Sequence, residues 1–240
     1  MRPPLTRVVC CSSFVAMLLV LAIEASASAA PHRLRGGFEA LVSSAARHAT
    51  TAGGATEGVT ARRISPRMVV AFAAGNRTEL PDDPSADVVL GAIKGGPRLR
   101  LSLPRHSLRA GPSVDSWQLP YGKRAAIAVQ PLTDGSLRAA VVVAGATAPK
   151  SYAFRLTLPR DVGAVRNADG GVDLVRRSPG RKVVGTLLVG RLEVPWAVDA
   201  NGRAIRTWYT VGGNTVIQHI DFGAASAFPI VADPRIVWHW

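Results

Sequence analysis

Few residues in this chain have the type and spacing for chemistry, and His219 with Asp221 is the best-placed set. His219 lies in an alternating stretch, Thr215-Val-Ile-Gln-His-Ile220. On a strand, positions 215, 219 and 221 point to one face. A Thr–His–Asp set suits nucleophilic catalysis, with the imidazole as base and the carboxylate as its orienter. That chemistry needs hydrogen-bond reach between the members, which strand neighbours at i, i+2 do not normally provide. His219 is therefore expected to be a satisfied surface or core histidine, and no catalytic residue is assigned. The chain also lacks G-x-S-x-G, H-E-x-x-H and G-x-x-x-x-G-K-[ST].

Two oxygen-rich sets could suggest a cation: Asp82, Asp83 and Asp87, and Asp199 with Asn201. Neither has the ligand series and distal Glu of an EF-hand loop. Asp199-Ala-Asn-Gly202 is turn chemistry, because Asx side chains bond nearby backbone and glycine takes positive φ. Asp233 precedes Pro234 and is expected to end a strand, since a residue before proline favours extended geometry. No metal and no cofactor is assigned.

The C-terminal residues Ile236-Val-Trp-His-Trp240 carry the sharpest functional hint. Ile236, Trp238 and Trp240 alternate onto one face. Two readings are open. Exposed, the indoles would offer flat surfaces to sugar rings, a membrane interface or a partner protein. Buried, the tail would be a final strand with both indoles in the core.

The elements that must position these residues are strands. From about Ile64, short apolar or alternating runs follow one another with turn signals between them. They are Met68–Ala73, Val88–Ile93, Arg98–Leu103, Ala125–Val129, Leu137–Val143, Tyr152–Leu158, Val162–Arg166, Val172–Val175, Val183–Val189, Ala204–Val211, Thr215–Ile220 and Phe228–Val231. Val183–Val189 is apolar enough for a strand buried on both faces. About twelve short strands, 17 prolines and 23 glycines predict a mainly antiparallel β-sandwich or open barrel-like domain. Arg100-Leu-Ser-Leu-Pro-Arg105 is echoed by Arg155-Leu-Thr-Leu-Pro-Arg160. The echo is either a duplication or coincidence, and one continuous domain is the simpler reading.

The expected organisation is a signal peptide over 1–29, a linker over 30–63, a β-rich domain over 64–234 and an aromatic tail over 235–240. Arg2 and Arg7, the apolar run Val8–Ala22 and the Ala-x-Ala sites at 25–29 match a secretory leader. The run is shorter than the roughly 20 residues a spanning helix needs. No transmembrane span is expected after cleavage. The linker is rich in Ala, Ser, Thr and Gly, with one possible short helix on the stripe Phe38, Leu41, Val42, Ala45. Cys10 and Cys11 are the only cysteines, so the mature chain is expected to be free of disulfides.

The formal charge is +13, and removing Arg2, Arg7 and Glu24 with the leader lowers it by one. Such a surface attracts polyanions. The basic side chains are spread along the chain, and arginine far outnumbers lysine, a bias that GC-rich codons also explain. An anionic cell-wall polymer or a secreted protein is the expected partner, and no nucleic acid is expected. The oligomeric state stays open.

The text Ala128–Gly135, Ala148–Phe154, Leu158-Pro159 and Asp169–Gly171 continues through Pro195-Trp-Ala197, Asp199-Ala-Asn-Gly202 and Phe228-Pro-Ile-Val-Ala-Asp-Pro234. This pattern resembles a β-rich module of secreted actinobacterial-type proteins, distantly similar to modules of wall-associated and Rhs-type secreted proteins. The resemblance implies secretion and a β fold and supplies no catalytic residue. Asn76-Arg77-Thr78 fits the N-glycosylation pattern, which is silent in such a setting. The expected function is a secreted, non-catalytic, envelope-associated binding or structural module. A hydrolase with an unrecognised site and a toxin-associated or inhibitor-like partner protein are the alternatives.

Overall fold

The computed structural model describes residues 62–65, 68–81, 83, 85–104, 117–121, 124–177 and 186–239. The expected leader, the linker up to residue 61 with its possible helix, and Trp240 lie outside the described residues. In chain order the strands are β1 Arg62–Ser65, β2 Met68–Ala73, β3 Asn76–Pro81, β4 Val88–Ala92, β5 Leu99–Ser102, β6 Trp117–Tyr121, β7 Ala125–Pro131, β8 Leu137–Val143, β9 Ser151–Thr157, β10 Val162–Arg166, β11 Val172–Arg177, β12 Thr186–Leu192, β13 Trp196–Val198, β14 Thr207–Gly212, β15 Thr215–Ile220, β16 Ile230–Asp233 and β17 Arg235–Trp238. The described residues contain no helix, and none is therefore long and apolar enough to cross a membrane.

The strands form two open antiparallel sheets, as a β-sandwich requires. One sheet has the order β1-β2-β3-β4-β5-β9-β15-β14. The other has the order β10-β11-β12-β17-β8-β16-β13, with β7 joined to β8 and β6 to β7. The fold class read from the alternation is thus the observed one, with open sheets in place of a closed barrel.

Alternation explains which face each strand buries. Along β9, Tyr152, Phe154 and Leu156 are buried, while Ser151, Ala153, Arg155 and Thr157 are exposed. The inward rows of both sheets meet in one core. It takes Leu90, Leu101, Phe154, Tyr209 and Val216 from the first sheet, and Ile127, Val141, Leu174, Ile236 and Trp238 from the second. Every residue of β8 is buried, because it lies in the middle of its sheet with apolar side chains on both faces. One edge of β8 pairs with β7, and the other pairs with β16 and then β17. Pro234 interrupts that last strand, and its carbonyl still accepts from the Ala139 amide at 3.0 Å.

One expectation is corrected here, and one open reading is decided. The run Val183–Val189 was expected to be a strand buried on both faces. The strand is Thr186–Leu192, and Leu187 and Leu188 are 59% and 44% exposed. Its first half pairs only with β11, since β17 reaches no further than Gly190. Of the two open readings of the tail, the buried one holds for Ile236 and Trp238, while Trp240 lies outside the described residues. Ile236 and Trp238 are 0% and 1% exposed, because β17 pairs with β8 and β12 and turns its even-numbered residues into the core.

β1, β3, β6 and β13 were missed, β1 because residues up to 63 read as linker. The run Asn-Arg-Thr-Glu-Leu-Pro of β3 reads as polar, and tertiary burial of Thr78 and Leu80 makes it a strand.

Candidate functional site

The outward face of the first sheet gathers most of the chemistry. β15 turns Thr215, Ile217 and His219 outward, β14 turns Trp208 and Thr210 outward, and β9 contributes Ser151 and Arg155. Register places His219 opposite both Ser151 and Trp208. The His219 Nδ1 lies 2.9 Å from Ser151 Oγ, and its Nε2 lies 2.9 Å from Thr210 Oγ1. One hydroxyl donates to the ring and the other accepts from it, in whichever order the tautomer sets. The imidazole also stacks on Trp208, with centroids 5.2 Å apart and planes at 15°. The Arg206 guanidinium lies 5.0 Å from the centroid of that indole.

This arrangement replaces the Thr215–His219–Asp221 set considered from the sequence. Thr215 shares the face of His219 but lies four residues away along the strand, on the order of 13 Å. Asp221 follows the end of β15, and its amide donates to the Arg206 carbonyl. The groups that reach the imidazole come from neighbouring strands. No sequence spacing could have named Ser151, 68 residues away, because register alone brings it there.

Arg100 on β5 and Arg155 on β9 occupy the same outward face. They belong to the two echoing segments, which pair with each other. Arg100 stands opposite Thr157, Leu101 opposite Leu156, and Ser102 opposite Arg155. Both arginines are exposed, and neither forms an ion pair among the described residues. One carboxylate bonds a neighbour of these arginines: Asp87 accepts from Ser102 Oγ at 2.6 Å. Towards β3 the face is neutralised, since Glu79 takes Arg77 at 3.1 Å and Arg98 at 3.6 Å.

The outward face of the second sheet is ordered differently. Arg191 bonds Asp173 at 2.7 Å, Arg138 bonds Asp233 at 3.1 Å, and Arg235 bonds Asp134 and Glu193. At its margins Arg176 bonds Asp161 and Arg203 bonds Asp199. Arg166, at the turn end of the β10–β11 hairpin, and Arg177, at its opposite end, carry no such pair among the described residues. Most carboxylates thus serve arginines on or around the second sheet.

The remaining sequence-selected residues are structural in their contacts. Asp199 accepts from the Asn201 amide at 2.9 Å, the Arg203 amide at 3.0 Å and Arg203 Nε at 3.0 Å, and Gly202 has φ of 74°. Burial works to raise the Asp199 pKa, but these bonds outweigh it and hold the carboxyl below its ordinary range. Asp233 does end β16, and it is also one half of a buried ion pair that sequence reasoning missed. There burial dominates: it raises the carboxyl despite the pull of Arg138. Trp238 donates its indole N–H to the Pro97 carbonyl at 3.4 Å. Among the described residues no group of three or more His, Cys, Asp or Glu could hold a metal ion.

No protein-family model, curated protein or solved structure matches this chain.

Proposed function

We propose that this protein is a secreted, non-catalytic β module held at the cell envelope by binding an anionic wall polymer. The observation that carries this reading is the division of charge between the two sheets. Among the described residues, carboxylates pair with Arg138, Arg191 and Arg235 across the second sheet's outward face and leave Arg177 unpaired at its margin, while Arg100 and Arg155 stand as an adjacent couple without an ion pair on the first. Secretion rests on the N-terminal leader pattern and on the resemblance to secreted β modules. The test is sedimentation of the full chain with isolated cell walls. Retention at low salt and release as salt rises is the expected outcome. No retention at low salt sinks the envelope reading.

A specific observation favours a second reading as a hydrolase: Ser151 and His219 are within hydrogen-bond reach, and Thr210 bonds the far ring nitrogen. Thr210 is neutral, however, and offers no charge to an imidazolium, and Ser151 stands on an open sheet face. A fluorophosphonate probe decides between them. Labelling at Ser151 that is lost in His219→Ala would establish the hydrolase, and an unlabelled serine removes it.

A further inference from the structure

We infer that the paired repeat on β5 and β9 is a subsite for the phosphodiester group of a linear, hydroxyl-rich polymer. The inference rests on the envelope-binding reading and names its site and the chemistry of its ligand. The two segments Arg100-Leu-Ser102 and Arg155-Leu-Thr157 run antiparallel, with Leu101 opposite Leu156. Pairing two like segments in this register creates a local two-fold arrangement. Both leucines face the core, at 0% and 1% exposure. Each arginine then stands outward beside the other segment's hydroxyl: Arg100 by Thr157, and Arg155 by Ser102.

The two guanidinium groups are diagonal cross-strand neighbours, about 7–8 Å apart at the backbone and within reach of one anion for side chains this long. Like charges on one sheet face are destabilising unless something answers them. Glu79 on β3 answers Arg77 and also Arg98, which lies two residues before Arg100, but neither Arg100 nor Arg155 has an ion-pair partner among the described residues. A local rule broken without full compensation marks a place where a ligand can supply the missing charge.

The chemistry of that ligand follows from the groups present. Arginine forks match the oxygens of a phosphate. Asp87, bonded to Ser102, reduces the charge of the pair to a net +1, which complements the single negative charge of a phosphodiester. Thr157, Thr215 and Ser102 flank the arginines with hydroxyls, suited to sugar or polyol hydroxyls on either side. A nucleic acid would add stacking on an aromatic ring. The nearby indole of Trp208 is already engaged by His219 and Arg206.

The test measures binding of the full chain to three probes: poly(glycerol phosphate), polyglutamate and a single-stranded oligonucleotide. The double variant Arg100→Gln/Arg155→Gln is compared with Arg166→Gln/Arg177→Gln, which removes the same charge from the other sheet. The first should weaken poly(glycerol phosphate) binding by about tenfold or more and flatten its salt dependence. The control should lose much less than that. All four positions are exposed, so thermal unfolding of both variants should match the parent and show that folding is intact. Equal losses in the two variants overturn the site, because only net charge would then matter. Equal or tighter binding of polyglutamate or the oligonucleotide overturns the ligand class. Wall retention undiminished in Arg100→Gln/Arg155→Gln overturns the site and leaves the envelope reading intact. Loss of parent wall retention with polymer binding preserved does the reverse.

Discussion

Asn76 shows how far a residue's role can lie from its sequence motif. It begins β3 and heads an Asn-Arg-Thr pattern, yet its Nδ2 donates to the carbonyls of Gly135 and Trp238, both at 3.1 Å. One amide thus ties the β2–β3 turn to the β7–β8 turn and to the end of β17. Gly135 fits against it with φ of 79°, where a Cβ would lie 2.7 Å from the Ala73 carbonyl. Asn76→Asp should therefore destabilise the fold by about 2–3 kcal/mol, since a carboxylate would face two carbonyls. Urea unfolding measures it, and a change near zero would refute the tie. Trp238 is the other decisive residue. Its burial predicts that Trp238→Ala costs about 3–5 kcal/mol, with no specific loss of polymer binding in the fraction still folded. Thermal unfolding and binding of the same sample separate the two effects.

At the scale of elements, two connections invite tests. Gly190 lets β12 approach β17 closely: a Cβ there would lie 2.8 Å from the Val237 carbonyl and 2.9 Å from the Trp238 ring. Gly190→Ala should cost about 1–3 kcal/mol by overpacking, measured by denaturant midpoint. The turn after β13 depends on ionised Asp199. Its carboxyl is held below the usual 3.8, so its stabilising contribution is complete above that value and fades as pH falls through the lower, folded value. The stability gap between the parent and Asp199→Ala should be constant above about pH 5 and narrow below about pH 4. Denaturation at a series of pH values reads this directly, and a gap independent of pH would show that the charge is irrelevant. Strand identity was legible in short apolar or alternating runs bounded by turn signals, as in β2, β8, β10 and β15, whose bounds match the expected runs. It was illegible in β13, whose three residues Trp196–Val198 are a strand only because β16 pairs with them.

For the whole molecule, a two-sheet sandwich separates an interior from two outward faces, and only register decides what gathers on each. The β-rich class was determined by the sequence itself, because alternation with period two needs no partner to be read. The Asp199–Gly202 turn was legible for the same reason, since its bonds span at most four residues. The mutual pairing of the two R-L-[ST]-L-P-R segments was not legible. Nor were the Ser151–His219–Thr210 relay, the buried Arg138–Asp233 pair and the inward turn of Trp238. Each joins strands distant in the chain, and a shift of one residue in register would send every side chain of a strand to the opposite face. The sequence by itself thus determined that the chain forms strands and which local turns punctuate them. Tertiary structure alone decided that Trp238 is core and that Arg100 and Arg155 share an outward face, because both outcomes depend on which strand lies beside which.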